Sequence, residues 1–243
     1  MFLVKNCLIL TILYLAIEQH ATKEYRITDQ IYMDIEMEGK PFGRIILGLF
    51  GETAPKTVKN FKHLALKGIN GKKYSGTNFL LAIKRVMILG GDIVYNNGSG
   101  SLSIYGEYFE NENFEISHDS SGLLAMVNLG APNSNGCMFY ITTMSTPWLN
   151  KKNVIFGKVL KGHDVVHTIE HVKTDANDKI IKDVKITKCG EIIIVPYYES
   201  HTNYELTFWA WIKAGWFPLS FSFIILGFFH LLIKQLNKYE SIL

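Results

Sequence analysis

Two histidines one helical turn apart have the types and spacing for metal chemistry in this 243-residue chain. His167 and His171 fall at positions i and i+4 of a segment predicted as a helix, so both imidazoles share one face. Protein zinc sites generally use three or four protein ligands, and we identify no third candidate beside the pair. We therefore expect two solvent-facing histidines, no metal site and no cofactor.

Thiol chemistry in the body of the chain is limited to Cys137 and Cys189, because Cys7 falls in a predicted N-terminal leader. An oxidising compartment would permit a disulfide between the two. Unpaired cysteines in strand-like segments are more often small, buried, apolar residues. The sequence leaves both states open.

Asn97-Gly98-Ser99 is an N-glycosylation sequon in a glycine-rich stretch that is typical of a turn. Only a domain that enters the secretory lumen would be modified there, and many sequons stay unmodified. We predict Asn97 as a glycosylation site and leave its occupancy open.

The N-terminus has the pattern of a secretory signal peptide. A short start containing Lys5 precedes a mostly apolar stretch from Cys7 to Ile17. A basic start followed by roughly ten apolar residues is typical of signal peptides and too short to span a bilayer. We assign residues 1–21 to the signal peptide.

The C-terminus has the pattern of a membrane-spanning helix. From Ala214 to Ile233 no residue is charged when histidine is neutral, and about 20 apolar residues suffice to cross a bilayer. Tryptophans lie where an interfacial aromatic belt is expected, and Lys234 follows directly, which favours a cytoplasmic tail. We predict a linker over 193–208, a transmembrane helix over 209–233 and a cytoplasmic tail over 234–243.

Between the two ends, the periodicity predicts one mostly β domain. Alternating apolar residues and glycine-rich turns indicate strands over 31–37, 44–50, 78–83, 122–127, 138–142, 154–159 and 182–188. Helices are predicted over 55–66 and 163–171, with Thr53 as a candidate N-cap of the first. Short strands with only two helices are typical of a closed antiparallel barrel. The net charge of +3 includes no basic face, so we expect no nucleic-acid partner.

Six motifs in fixed order carry a specific resemblance: Ala54-Pro-Lys-Thr-Val-Lys-Asn-Phe61, Gly90-Gly-Asp92, Ser103-Ile-Tyr-Gly106, Glu112-Asn-Phe114, Pro132-Asn-Ser-Asn-Gly136 and Val154-Ile-Phe-Gly-Lys-Val159. Over residues 28–192 the chain resembles the cyclophilins, a family of peptidyl-prolyl cis-trans isomerases. The resemblance implies a closed eight-stranded antiparallel β-barrel with two capping helices, to which the predicted C-terminal transmembrane helix is added. The segments 211–214 and 235–237 resemble a membrane-anchored branch of that family from photoreceptor secretory membranes.

The resemblance also implies a groove that holds a proline ring and eases rotation about the preceding peptide bond. The groove lining corresponds to Phe79, Val86, Met87, Tyr140 and Leu149, and further groove positions correspond to Val127, Asn128 and Trp148.

The polar groups that the family uses for catalysis are mostly absent from this sequence. The main donor of the family, an arginine, corresponds to Leu81, and its other polar positions correspond to Leu80, Leu89, Met138 and Asn153. Of these five positions only Asn153 keeps a hydrogen-bond donor. Arg85, four residues after Leu81, is an alternative source of the missing guanidinium.

These substitutions favour a binding module over an enzyme, because Leu81, Leu89 and Met138 would give an apolar surface suited to an apolar partner. We expect a membrane-anchored protein of the endoplasmic reticulum that binds proline-containing clients as a folding or escort chaperone, with weak or lost isomerase activity. The alternative is an active isomerase. The resemblance implies clients that are multi-spanning membrane proteins, such as a rhodopsin.

Overall fold

A computed structural model describes residues 24–128, 133–200, 226–227 and 229–234. The chain divides into two compact units, Met1–Thr202 and Asn203–Leu243. The first unit contains β1 (Glu24–Ile27), β2 (Asp29–Met37), β3 (Lys40–Leu49), α1 (Pro55–Leu66), β4 (Phe79–Ile83), β5 (Met87–Gly90), β6 (Leu123–Met126), β7 (Phe139–Thr142), a 3-10 helix (Pro147–Leu149), β8 (Ile155–Lys161), α2 (His163–Glu170), β9 (Val184–Ile192) and β10 (Tyr197–Ser200).

Eight of these strands form one antiparallel sheet in the order β4-β5-β7-β6-β8-β3-β2-β9, which confirms the expected mostly β architecture with few helices. The edge strands β4 and β9 meet through isolated contacts instead of a continuous ladder. Asn78 bridges Lys185, and the Ile186 N–H donates to the Thr77 carbonyl at 2.8 Å. In the described part of the chain the sheet therefore curls into a barrel whose seam is only partly hydrogen-bonded.

Aromatic side chains fill the interior of the curled sheet. Phe61 on α1 packs against Phe139 on β7 and Phe156 on β8, with ring centroids 5.4 and 5.0 Å apart. All three side chains are fully buried. Because buried aromatic rings contribute large apolar areas to a core, this contact fixes α1 on the sheet, while α2 packs against β3, β4 and β5.

The helix α1 begins at Pro55, as predicted, but Thr53 is not its cap. Ala54 occupies the N-cap position and makes no side-chain hydrogen bond. Instead the Glu112 carboxylate accepts hydrogen bonds from the backbone N–H groups of Lys56 and Thr57, at 2.8 and 2.9 Å. A distant carboxylate thus satisfies first-turn donors and complements the positive end of the helix dipole.

A second, two-stranded sheet joins the two ends of the first unit. The strand β10 lies within the segment predicted as a linker, and it pairs antiparallel with β1. Tyr25 and Ile27 of β1 are buried, and the Tyr25 ring lies 5.4 Å from that of Phe50. The chain therefore stays attached to the domain until Ser200.

The predicted signal peptide, most of the predicted transmembrane helix and nearly all of the predicted tail lie outside the described residues. Residues 226–227 and 229–234 are helical. Among the residues that the structure describes, no helix is long and apolar enough to cross a membrane.

Candidate functional site

Strand register places three of the predicted site residues in one row across the sheet. Leu81 on β4 pairs with Leu89 on β5, and Leu89 pairs with Tyr140 on β7. Directly paired residues of antiparallel strands lie on the same face of a sheet. The row therefore lies on one face, and Ala125 on β6, paired with Tyr140, extends it.

A groove of about 270 Å³ opens at the β4 end of this row. Its lining residues are Leu80, Leu81, Leu89, Asn97, Gly98, Val127, Met138 and Lys179. Five of these eight residues are apolar, and Lys179 is the one charged residue among them. The predicted residues Leu81, Leu89, Val127 and Met138 are thus brought together around one small concave surface.

The remaining apolar site residues form a cluster beside this groove. Met87, Leu89, Val127 and Leu149 pack against a buried group that includes Tyr140. Leu89 and Val127 contribute to both the groove and the cluster, so the two are one continuous apolar surface. Trp148, on the 3-10 helix before Leu149, keeps 52% of its surface exposed.

A buried polar chain lies beneath that apolar surface. The Asn150 Oδ1 accepts the His118 backbone N–H at 2.7 Å, and the same oxygen lies 3.2 Å from His118 Nδ1. Because Oδ1 only accepts, Nδ1 carries the proton, and Nε2 accepts the Tyr140 hydroxyl at 2.8 Å. Burial lowers the pKa of His118 despite Asn150 and Asp119, and burial raises the pKa of Tyr140.

Asp92 organises the loop that forms the groove rim at Asn97. Its carboxylate accepts backbone N–H hydrogen bonds at 2.9–3.1 Å from Val94, Tyr95, Asn97, Gly98 and Gly100. Burial alone would raise the pKa of Asp92, but these hydrogen bonds outweigh it and lower the pKa to about 2. The sequon predicted at Asn97 therefore lies on a fixed loop, with Asn97 itself exposed at the groove.

Three predicted residues contribute less to the surface than the resemblance implies. Phe79 is 1% exposed and packs edge-on against Phe139 in the interior, so it supports the groove from below. One N–H of the Asn153 amide donates to the Met126 carbonyl at 3.0 Å. The Asn128 amide donates to the Lys152 carbonyl. Each of these two amides thus uses an N–H donor in a hydrogen bond to the backbone of the protein.

Arg85 does not supply the missing guanidinium in this structure. It lies in the turn between β4 and β5 with a φ of 58°, and its backbone N–H donates to Glu170 Oε1 at 2.6 Å. Arg85 is not among the residues that line the groove. Val86, next to it, is half-buried and its carbonyl accepts the Thr143 N–H, so the turn is held at both residues.

Lys179, which no sequence pattern predicts at the groove, reaches it from a distant loop. The Ala82 N–H donates to the Asp178 carbonyl at 3.0 Å, and the Ile180 N–H donates to the Leu80 carbonyl at 2.9 Å. These bonds set Lys179 beside Leu81. No local motif marks this pairing, because it depends on contacts between segments almost 100 residues apart.

The structure also shows the positions of the cysteines and histidines that lie outside the groove. Cys137 and Cys189 are free thiols, and burial raises the pKa of Cys189 to about 11. His167 and His171 are exposed on α2 and at its C-cap, as expected, but the expectation that no third candidate ligand lies beside them is wrong. Glu170 lies between them, and one potential ligand atom from each residue lies within 4.8 Å of the others.

The groove can bind an apolar peptide segment, and it offers few donors to a reacting amide. Among its described lining residues, the charged donor is an ammonium group in place of the guanidinium that the resemblance implies at position 81. An ammonium is a compact point charge, whereas a guanidinium presents a rigid planar fork of donors.

Comparisons with known proteins identify the family of the chain. The family model described as "Cyclophilin type peptidyl-prolyl cis-trans isomerase/CLD" matches residues 32–191. The "Peptidyl-prolyl cis-trans isomerase, rhodopsin-specific isozyme" of Calliphora vicina is 48% identical over 215 residues, covering 88% of this chain and 91% of that protein. The "Peptidyl-prolyl cis-trans isomerase D" of Saccharomyces cerevisiae is 42% identical, covering 78% of this chain and 83% of that protein. The chain therefore belongs to the cyclophilin-type peptidyl-prolyl cis-trans isomerase family.

Proposed function

We propose that this protein is a membrane-anchored cyclophilin of the endoplasmic reticulum that binds proline-containing client segments as a folding or escort chaperone, with little isomerase activity. The observation that carries the proposal is the apolar groove around Leu81, Leu89 and Met138. A surface of this kind favours holding an apolar segment over polarising an amide.

The physical demand of catalysis explains why the loss of donors matters. Rotation about a prolyl bond is slow because amide resonance sets a barrier of roughly 18–20 kcal/mol. A catalyst lowers it with donors aimed at the twisted amide, and losing one such donor typically costs about 2.7–4 kcal/mol. Leucine at position 81 provides no donor, so weak activity is the expected result.

The proposed client class rests on two supports. A relative of this chain is named as a rhodopsin-specific isozyme, which favours a client that is itself a multi-spanning membrane protein such as a rhodopsin. The predicted transmembrane helix over 209–233 would hold the domain close to such clients. Tethering of this kind raises the effective concentration of a binding site without any new contact.

A second candidate function, active isomerisation, is favoured by Lys179. Backbone hydrogen bonds of the neighbouring loop place the Lys179 main chain beside Leu81, and Lys179 is among the residues that line the groove, so its ammonium is a candidate donor for an amide held there. On this alternative, Lys179 takes over part of the role of the family's arginine.

An isomerase assay on the full chain, purified in detergent, separates the two functions. We expect slow turnover of an Ala-Pro peptide by the wild type. The Leu81→Arg variant should be faster by about a hundredfold or more, because it restores one donor to an otherwise formed groove.

The matched control is Lys179→Met, which removes the ammonium and keeps the length of the side chain. Two results together would contradict the chaperone proposal and support the active enzyme: Leu81→Arg turns over the peptide no faster than the wild type, and Lys179→Met abolishes the turnover.

A further inference from the structure

The C-terminal end of α2 carries three metal-ligating side chains on one face. His167, Glu170 and His171 follow the spacing i, i+3, i+4, which aligns them on one side of a helix. The two imidazole centroids are 4.3 Å apart. From these contacts we propose that this face binds one divalent transition-metal ion of the zinc class, with both imidazoles and the Glu170 carboxylate as ligands.

Glu170 is a buried carboxylate with one oxygen engaged in hydrogen bonds and the other near His171. It is 5% exposed, and its Oε1 accepts hydrogen bonds from the Arg85 N–H at 2.6 Å and the Thr143 hydroxyl at 2.7 Å. Its Oε2 lies 3.6 Å from His171 Nδ1. The committed oxygen fixes the position of the carboxylate, so Oε2 is available as a preorganised ligand.

His171 is held in the tautomer that a metal ligand needs. Its Nδ1 lies 2.8 Å from the backbone carbonyl oxygen of His167. A carbonyl oxygen can only accept, so Nδ1 carries the proton and the lone pair is on Nε2. Metal-binding histidines usually donate their second nitrogen to a carbonyl or carboxylate in this way.

Coordination requires the histidine rings to turn, because the His171 nitrogen that lies near Oε2 is the protonated Nδ1. Ligand atoms bonded to zinc at about 2.0–2.2 Å in a tetrahedral site lie roughly 3.4 Å from one another. The three groups lie within 4.8 Å of one another. His167 and His171 are exposed, so their rings can rotate to bring Nε2 of His171 and one nitrogen of His167 to the ion while Glu170 stays in place.

Zinc is the ion that this ligand set suits. Neutral imidazole binds zinc, copper and nickel well, whereas calcium and magnesium prefer a full set of oxygen ligands. A set of two imidazoles and one carboxylate leaves a position for water, as zinc sites with three protein ligands do. Because Glu170 also bonds to Arg85 and Thr143, bound zinc would link α2 to the turn before β5 and to the residue after β7.

Calorimetric titration of the full chain with Zn²⁺, purified without a histidine tag, tests this site. We expect saturable binding of one ion per chain. His167→Ala and His171→Ala should each weaken the affinity at least about tenfold, the scale on which even outer-shell partners of a metal act. The matched control His63→Ala removes a histidine on α1 and should leave the affinity unchanged.

Thermal unfolding provides a second measurement. It uses only variants of histidines and leaves the buried Glu170 unchanged. Zinc should raise the unfolding midpoint of the wild type and of His63→Ala, but not of the His167→Ala/His171→Ala double variant, because a ligand stabilises only the fold that binds it. Absence of saturable binding below roughly 1 mM zinc, or equal binding by the double variant and the wild type, would overturn the proposal.

Discussion

Tyr140 and His118 form a buried polar pair beneath an apolar groove, and their hydrogen bonds define the protonation state of the histidine. Asn150 holds Nδ1 as a donor, so Nε2 must accept the Tyr140 hydroxyl. Since Asn150 directly follows the 3-10 helix that carries Trp148 and Leu149, the pair connects the floor of the groove to its wall.

This arrangement predicts a stability that falls with acid. Burial lowers the pKa of His118 below its ordinary 6.5, so the unfolded chain takes up the proton first. Stability is therefore complete above about pH 6.5 and is lost as the pH falls towards the lower pKa of the folded state. Denaturant midpoints measured between pH 7.5 and 5.5 should decrease in the wild type.

The His118→Gln variant should show a smaller decrease over the same range. Part of the dependence should persist, because burial and Lys158 also lower the pKa of His163. A His63→Gln control should keep the full dependence. An unchanged pH dependence in His118→Gln would contradict the assignment of a neutral, buried His118.

At the scale of the element, the loop from Asp92 to Gly100 is held by one carboxylate instead of regular secondary structure. The carboxylate is fully buried and accepts five backbone N–H groups. The loop carries Asn97 and Gly98 to the groove, so its rigidity determines the shape of the groove rim.

Replacing Asp92 with asparagine should destabilise the fold by at least about 2 kcal/mol at neutral pH. The pKa of Asp92 is lowered from 3.8 to about 2, and a difference of this size corresponds to about 2 kcal/mol. That contribution is present above pH 3.8 and is lost as the pH falls towards 2. Urea denaturation at pH 7 measures it, with Glu36→Gln on β2 as the control. Equal stability of Asp92→Asn and the wild type would show that the loop is held by other contacts.

At the scale of the whole molecule, patterns with a local origin were predicted well and long-range pairings were not. Hydrophobic alternation predicts the strand at 31–37, and proline near the first turn predicts the start of α1. The pairing of β1 with β10 joins segments from opposite ends of the domain, and nothing local marks it. The third ligand, Glu170, did carry a signal, namely its i, i+3 spacing from His167.

The groove was predictable in composition but not in shape. The resemblance to the cyclophilins assigns Leu81, Leu89 and Met138 to one groove, and the structure places them around one concavity. The burial of Phe79 depends on how the sheet curls, and the position of Lys179 at the groove depends on the loop before β9. Those features follow from tertiary packing, which periodicity does not encode.

The central claim is that the apolar groove holds a proline-containing segment through its leucine and methionine side chains. The most direct test is the affinity of the full chain for a fluorescent peptide that has apolar residues on both sides of one proline, measured by anisotropy. We predict saturable binding that Leu89→Gln weakens by about tenfold, because burying a leucine side chain contributes about 1.5–3 kcal/mol. Ile193→Gln, at a position that is 96% exposed, should bind as the wild type does. Binding that Leu89→Gln leaves unchanged, or no saturable binding at all, would contradict the claim.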